Sequence, residues 1–504
     1  MTDSLFLGVD IGTSSSKGVL VDTKGRIVAR ERRAHKVSNP QPGWWEHDAS
    51  GDWWQGFVQI TRQLLRDRSA EILAVGVSGI GPCFLPADNK GIPLRPAILY
   101  GVDTRATAEI DELTRLFGED AILARSGSVL SSQAVGPKLQ WLRKHEPEVF
   151  RNTKRLFMAS SYLVYKLTGE YVLDHHSASQ CDPLYDMGKS AWATDWIREL
   201  APELELPLLR WPVEIAGEVS QDASVETGIP AGTPVATGTI DAWAEAASVG
   251  VARPGDIMVM YGTTLFVIQI ASALHPNKDW WTTAGILPGS ITQAAGMSTS
   301  GALTDWFKKL VGATDFRTLI VEATATPPGA HGLVTLPYFE GERSPIIDPL
   351  ARGAIVGLTL SHSRGHLYRS LLESVGFGVR HIFEAMHVDP TVTRLVAVGG
   401  GSQASLGPQI VTDIVGMSQD MPAETIGASY GDAWLAAVAV GHTPSDHCWN
   451  RVIDILQPRP EFSATYERLY SVYRSLYVQT ADLVHQLARI QADSSEFRNH
   501  AAVT

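Results

Sequence analysis

The chain has 504 residues, 44% of them apolar and 19% charged, with a formal net charge of −12. That length exceeds what one hydrophobic core serves and the composition excludes a disordered or fibrous chain, so two domains are expected. The acidic balance excludes a sequence-independent nucleic-acid binder, which needs a basic face for phosphate, and Cys83, Cys181 and Cys448 are too scattered to outline a disulfide framework or a zinc site.

Residues 5–9 are apolar but too few for a signal-peptide core, and no basic residue precedes Asp10, which predicts a cytoplasmic protein. The stretch Leu5-Phe6-Leu7-Gly8-Val9-Asp10 predicts a strand, Gly12-Thr13-Ser14-Ser15 a turn, and Gly18-Val19-Leu20-Val21-Asp22 a second strand. The turn Thr23-Lys24-Gly25-Arg26 then leads into Ile27-Val28-Ala29, which completes an antiparallel meander unlike a Rossmann opening. In the first turn glycine lets backbone amides face an anion, Thr13 and Ser14 add hydroxyls, Lys17 adds a positive charge, and Asp10 suits a magnesium ion. An ordinary hairpin turn has the same composition.

Amphipathic stretches at 53–66 and 135–145 alternate with short strands such as 72–77. About half a chain later the opening design recurs, with strand 257–261, the turn Gly262-Thr263-Thr264 and strand 265–268. This repeat predicts duplicated domains, 1–250 and 251–490, whose hairpin tips face one another across a cleft and grip a polyphosphate; the turn Arg253-Pro254-Gly255-Asp256 marks the boundary. Farther on, Leu395-Val396-Ala397-Val398-Gly399-Gly400-Gly401-Ser402 predicts a buried strand, a glycine turn and a helix from about 406. Its glycines serve either close approach of a ligand or tight packing of helix on strand. A long helix over 463–490 and a polar tail, 491–504, close the chain. The most apolar windows, such as 433–440, are too short to span a bilayer, so no membrane partner is expected.

These phosphate-handling elements, in this order, resemble the actin, Hsp70 and sugar-kinase superfamily, and within it the FGGY carbohydrate kinases. Gly353-Ala354-Ile355-Val356-Gly357-Leu358, His366-Leu367 and Ser370-Leu371-Leu372-Glu373 are similar to the family's C-terminal signature. Residues 138–145, from Lys138-Leu139-Gln140-Trp141 onward, match the N-terminal signature in part. Further likeness lies in Gly43-Trp44-Trp45-Glu46, in 96–105 and in Gly341-Glu342-Arg343-Ser344-Pro345.

The resemblance implies an α/β protein of two RNase-H-like, actin-like ATPase domains, each a mixed sheet flanked by helices, with a cleft between them. It implies transfer of a phosphoryl group from MgATP to a sugar hydroxyl. Asp241, in Gly238-Thr239-Ile240-Asp241-Ala242, falls at the family's general base, a role a carboxylate performs when a hydroxyl attacks phosphorus; without the family match the helix N-cap is the favoured reading. Asp10 corresponds to the metal-site acid; Thr13, Ser14, Lys17, Gly262 and Thr263 to positions at the phosphates; Gly301, Gly400 and Ala404 to positions along the nucleotide.

The acceptor is expected to be a ketopentose such as D-xylulose, since 138–145 and 100–105 have a xylulokinase-like texture, with a ribulokinase or another polyol kinase as the alternative. Where xylulokinases carry Gln-Met-His-Gly, this chain has Ile80-Gly81-Pro82-Cys83, and Gly81-Pro82 also removes the charged pair of glycerol kinases. Trp44, Asp103 and Trp243, with Gly81 and Pro82, are the candidate sugar contacts, each also explicable as packing. Asp174-His175-His176 is not read as a metal site. An actin-like or Hsp70-like ATPase without sugar phosphorylation is the reading of a different class, and a homodimer is one assembly open to the chain.

Overall fold

The computed structural model of the chain describes residues 3–68, 70–391, 393–403 and 406–493. Strand β1, Asp3–Ile11, is buried on both faces. Its odd positions, Leu5, Leu7, Val9 and Ile11, enter a core with Trp53, Phe57 and Ile60. Phe6 on the opposite face packs with Tyr430, Ala433 and Ala436 of the helix Ala428–Ala439. Because side chains alternate along a strand, Gly8 and Asp10 share that second face.

Strand β1 pairs antiparallel with β2, Ser15–Asp22, which pairs antiparallel with β3, Ile27–Ala34. On its other side β1 runs parallel to β4, Ala70–Gly79. Beyond β4 come β5, Ile215–Glu218, and β6, Pro234–Ala236, while the short β7, Thr239–Ile240, pairs with the end of β4. The strand order is β5-β6-β4-β1-β2-β3.

The second sheet repeats this plan. Strand β8, Asp256–Tyr261, pairs antiparallel with β9, Leu265–Ala271, which neighbours β10, Ile291–Met297. On its other side β8 runs parallel to β11, Arg394–Val398; β11 runs parallel to β12, Gln419–Pro422; and β13, Val452–Leu456, closes the edge antiparallel to β12. Both sheets are therefore a meander, then parallel crossovers, then one antiparallel edge strand. The duplication expected from the two Gly-Thr hairpins is visible in the whole topology.

The backbone contacts divide the chain into two units. The first comprises Met1–Pro254, Ile270–Gln293 and Ile426–Arg451, and the second Gly255–Gln269, Ala294–Thr425 and Val452–Thr504. Among the described residues no helix is long and apolar enough to cross a membrane.

In the first unit the helix Ala428–Ala439 lies directly on the sheet because glycine occupies the contact. Gly8 and Gly76 are register partners on β1 and β4. A Cβ on Gly8 would sit 2.0 Å from the Ser429 carbonyl oxygen, and one on Gly76 would sit 1.9 Å from that of Asp432. The same helix meets the helix Asp241–Ser248 at Gly431, where a Cβ would lie 1.8 Å from the Ala244 carbonyl oxygen. In the second unit, Arg369 of the long helix Arg364–Ala385 binds Glu373 one turn on, at 2.8 Å, and the Thr326 carbonyl at 2.9 Å, while the Gly329 amide donates to Glu373 at 2.8 Å. The C-terminal signature thus contains a buried ion pair that ties helices together, with Glu373 Oε1 taking the hydrogen bonds and Oε2 left without a partner.

A methyl group at position 76 has no space to enter. Gly76→Ala is expected to lower unfolding free energy by about 3 kcal/mol, the upper end for overpacking, whereas Gly407→Ala, where a Cβ meets nothing, is not. Urea unfolding of the two variants beside the parent chain checks this.

Candidate active site

The register of the first sheet sets three polar side chains side by side. Lys17 on β2 and Ser78 on β4 are the partners of Asp10 on either side. Asp10 is buried, and the Ser78 hydroxyl lies 3.5 Å from its Oδ1. That hydroxyl donates to Asp432 Oδ2 at 2.8 Å. Asp432 is wholly buried in a helix whose other side chains are uncharged, and its Oδ1 has no hydrogen-bond partner.

Asp241 opens the helix Asp241–Ser248 directly after β7, and its Oδ1 accepts the Ala242 amide at 2.7 Å. Glu245, one helical turn on, brings a second carboxylate to the same side. Three acids thus share Lys17, whose charge acts on Asp10, Asp241 and Glu245. Burial, with the neighbouring Asp241 charge, raises the proton affinity of Asp10, and burial raises that of Asp241 above the ordinary carboxylate range. Burial likewise pushes Glu245 up to about 7, and burial together with repulsion from Asp10 holds Asp432 well above its usual value.

The remaining candidates from the first half of the sequence lie in the same unit. Thr13 and Ser14 occupy the turn between β1 and β2; the Thr13 hydroxyl meets Tyr100 Oη at 3.2 Å, and Ser14 is exposed. Pro82 is buried, and a Cβ on Gly81 would meet Ile240 at 2.6 Å, so this loop packs beside the strand that delivers Asp241. Trp44 lies under the Arg105 guanidinium at 4.2 Å. The Asp103 carboxylate is wholly buried and engaged by Arg105 and by the Trp45 amide at 2.7 Å. Trp243 donates from Nε1 to Thr292 Oγ1 at 2.9 Å and lies against His176, ring centres 3.9 Å apart.

In the second unit, Gly262, Thr263, Gly301 and Gly400 line one cavity of about 390 Å³. One wall is backbone, from these glycines with Gly401 and Gly407; the other is apolar, from Phe316, Ile320, Tyr368, Leu372 and Val411. The Gly301 amide donates to the Gly262 carbonyl at 2.9 Å and the Ala302 amide to that of Thr263 at 3.0 Å, which pins the helix Gly301–Leu310 to the hairpin tip. The glycine turn divides the two uses left open for it. Gly399 and Gly401 pack on Tyr261, where a Cβ would come within 2.7 Å and 2.9 Å of its atoms, whereas a Cβ on Gly400 would meet nothing. Space of this volume with a flat apolar wall suits a heteroaromatic ring. Ala404 lies outside the described residues.

The family model for the N-terminal domain of the FGGY family of carbohydrate kinases matches residues 5–250, and that for its C-terminal domain matches 257–440. The chain belongs to the FGGY family of carbohydrate kinases and is a phosphotransferase with an alcohol group as acceptor. Kinases of this family use ATP. The chain is 28% identical to the xylulose kinase of Escherichia coli (strain K12) over 95% of its own length and 100% of that protein. It is 30% identical to the glycerol kinase of Janthinobacterium sp. (strain Marseille), covering 86% and 90%. Among solved structures, the xylulose kinase from Rhodospirillum rubrum superposes with a TM-score of 0.88 at 30% identity, over 95% of this chain and 100% of that one.

Three members of the polar cluster, Ser78, Glu245 and Asp432, go unnoticed in sequence. Glu245 reads as helix surface and Ser78 as a strand residue. The one available signal is Asp432 itself, a lone acid in the run Ala428-Ser429-Tyr430-Gly431-Asp432-Ala433-Trp434. Among the described residues no group of three His, Cys, Asp or Glu is arranged to hold a metal ion. A pair of carboxylates nevertheless fits magnesium, which takes one or two protein carboxylates beside phosphates and water.

Each raised acid holds its proton more tightly folded than unfolded. Stability from this source is complete below about pH 4, the unfolded value, and is lost as pH rises through the folded values, about 7 for Glu245. The metal-free chain should therefore melt at lower temperature at pH 8 than at pH 5. Glu245→Gln should reduce that difference, as thermal melts in EDTA across this range will show.

Proposed function

We propose that the chain phosphorylates a ketopentose of the D-xylulose type, with Asp241 as the base that takes the proton of the attacking hydroxyl. The observation that carries the catalytic part is Asp241 itself, a carboxylate at a strand-helix junction whose proton affinity is raised toward working pH, where a base is most effective. In this reading the second unit holds ATP, the base along Gly400 and the Phe316 wall and the phosphates at Gly262, Thr263 and Gly301. Thr13, Ser14 and Lys17 attend the phosphoryl group from the first unit, and Asp10 would hold magnesium. Magnesium, when bound, supplies positive charge to the phosphate oxygens. Ala404 is assigned to the nucleotide by the resemblance alone.

The ketopentose assignment is supported by likeness to xylulose kinases over 95% of this chain and 100% of theirs. Trp44, Gly81, Pro82 and Trp243 are proposed to shape the sugar site, and Asp103 to act there by fixing Arg105 over Trp44. Likeness to a glycerol kinase at 30% identity favours a smaller polyol as the second reading; against it stands the loop Ile80-Gly81-Pro82-Cys83, which has no charged side chain to grip a triol.

A coupled ADP-release screen over ketoses, aldoses and alditols tests the assignment, with highest kcat/KM expected for D-xylulose or D-ribulose; preference for glycerol would overturn it. Asp241→Asn should lower kcat by at least about 100-fold, the lower range for loss of a general base, while ADP still binds in a calorimeter. Parent-like turnover would remove Asp241 from the mechanism. The acidic limb of the parent kcat/KM profile should lie above the ordinary Asp value of about 3.9, because activity falls as Asp241 is protonated.

A further inference from the structure

Asp432 stands out because it is costly where it is. Its side chain is wholly buried in the helix Ala428–Ala439, its Oδ1 has no hydrogen-bond partner, and the charges of Asp10 and Asp241 repel it. Alanines at 433 and 436 fill the same interface without cost, and an acid lacking full hydrogen bonding is disfavoured in such a core. Its one hydrogen-bond partner is Ser78, the residue in register with Asp10.

We propose that Asp432, acting through the Ser78 hydroxyl, is a positioning residue that fixes the Asp10 carboxylate beside Lys17. The inference rests on the reading of Asp10 as the acid that attends magnesium. Ser78 has a single hydroxyl hydrogen and two carboxylate neighbours, Asp432 Oδ2 at 2.8 Å and Asp10 Oδ1 at 3.5 Å. The hydroxyl that donates to Asp432 Oδ2 is thereby anchored within 3.5 Å of Asp10 Oδ1, so the acid at 432 sets where Ser78 Oγ stands against Asp10. Asp10 is then held from one side by a hydroxyl and from the other by Lys17, and helix Ala428–Ala439 cannot drift from this arrangement because Gly8 and Gly76 seat it on the two strands concerned. Outer partners of this kind orient a carboxylate for a cation, and their loss typically weakens metal binding about 10- to 100-fold.

The test is Mn2+ binding to the full chain in the presence of ADP, followed by electron paramagnetic resonance, with thermal melts to confirm folding. Asp432→Ala and Ser78→Ala should each weaken Mn2+ binding about tenfold or more. Their combination should be no worse than the poorer single variant, because both remove one path. Asp432→Asn, which keeps an acceptor and a donor, should recover most of the loss. Folded Asp432→Ala and Ser78→Ala chains that bind Mn2+ like the parent, while Asp10→Asn does not, would overturn the proposal and leave the reading of Asp10 intact. Fully additive losses would overturn it as well. Unchanged binding in Asp10→Asn would instead overturn the reading of Asp10 on which the proposal rests.

Discussion

Backbone meets backbone between the helix Ala428–Ala439 and the central strands of the first sheet, and the rest of the candidate site depends on that contact. Gly8, Gly76 and Gly431 remove every side chain that would hold the helix away from β1, from β4 and from the helix Asp241–Ser248. A protein interior packed at crystal density does not slide by fractions of an ångström without cost. Asp10, Asp241 and Asp432 are therefore placed by main chain rather than by flexible side-chain contacts. Elements of regular structure hold reacting groups with a precision that loops do not.

The electrostatic consequence is a site built with a deficit of positive charge. One lysine faces Asp10, Asp241 and Glu245, and Asp432 lies behind them. In the unliganded chain this arrangement favours bound protons, which lowers the repulsion at some expense in reactivity. A divalent cation arriving with nucleotide would relieve the same strain by a different route. Stability of the resting chain and readiness for chemistry are thus opposed at these residues, as is usual where function requires buried charge.

Much of this fold is legible in the sequence, for identifiable reasons. The hairpins at 5–22 and 257–268 announce themselves because apolar alternation stops at Gly-Thr turns, and the strands run Asp3–Ile11, Ser15–Asp22, Asp256–Tyr261 and Leu265–Ala271. The helix expected over 135–145 spans Val135–His145, because its apolar period and its basic last turn agree. Long-range pairings are another matter. Nothing near Asp103 in sequence signals that its carboxylate accepts from the Trp45 amide, 58 positions away. Nor does Ser78 signal an acid at 432, because a hydrogen bond across 354 positions leaves no periodic trace. The glycines at 8, 76 and 431 look unremarkable until the helix they admit is seen against them.

The first unit is not one continuous stretch of chain; its last piece, Ile426–Arg451, follows most of the second unit in sequence. Synthesis from the N-terminus therefore completes β1 and β4 long before the helix that covers Gly8 and Gly76 exists. At about 5–20 residues per second the interval between the end of β4 and residue 428 is roughly 17 to 70 s. Through that time the face bearing Phe6 and Asp10 lacks its native cover, and the four acids are gathered only once the helix Ala428–Ala439 has been made. The late segment works as a closing latch: Gly255–Gln269 and Ala294–Thr425 of the second unit must be read before the first unit can set, which binds the maturation of the acid cluster to the synthesis of the second unit.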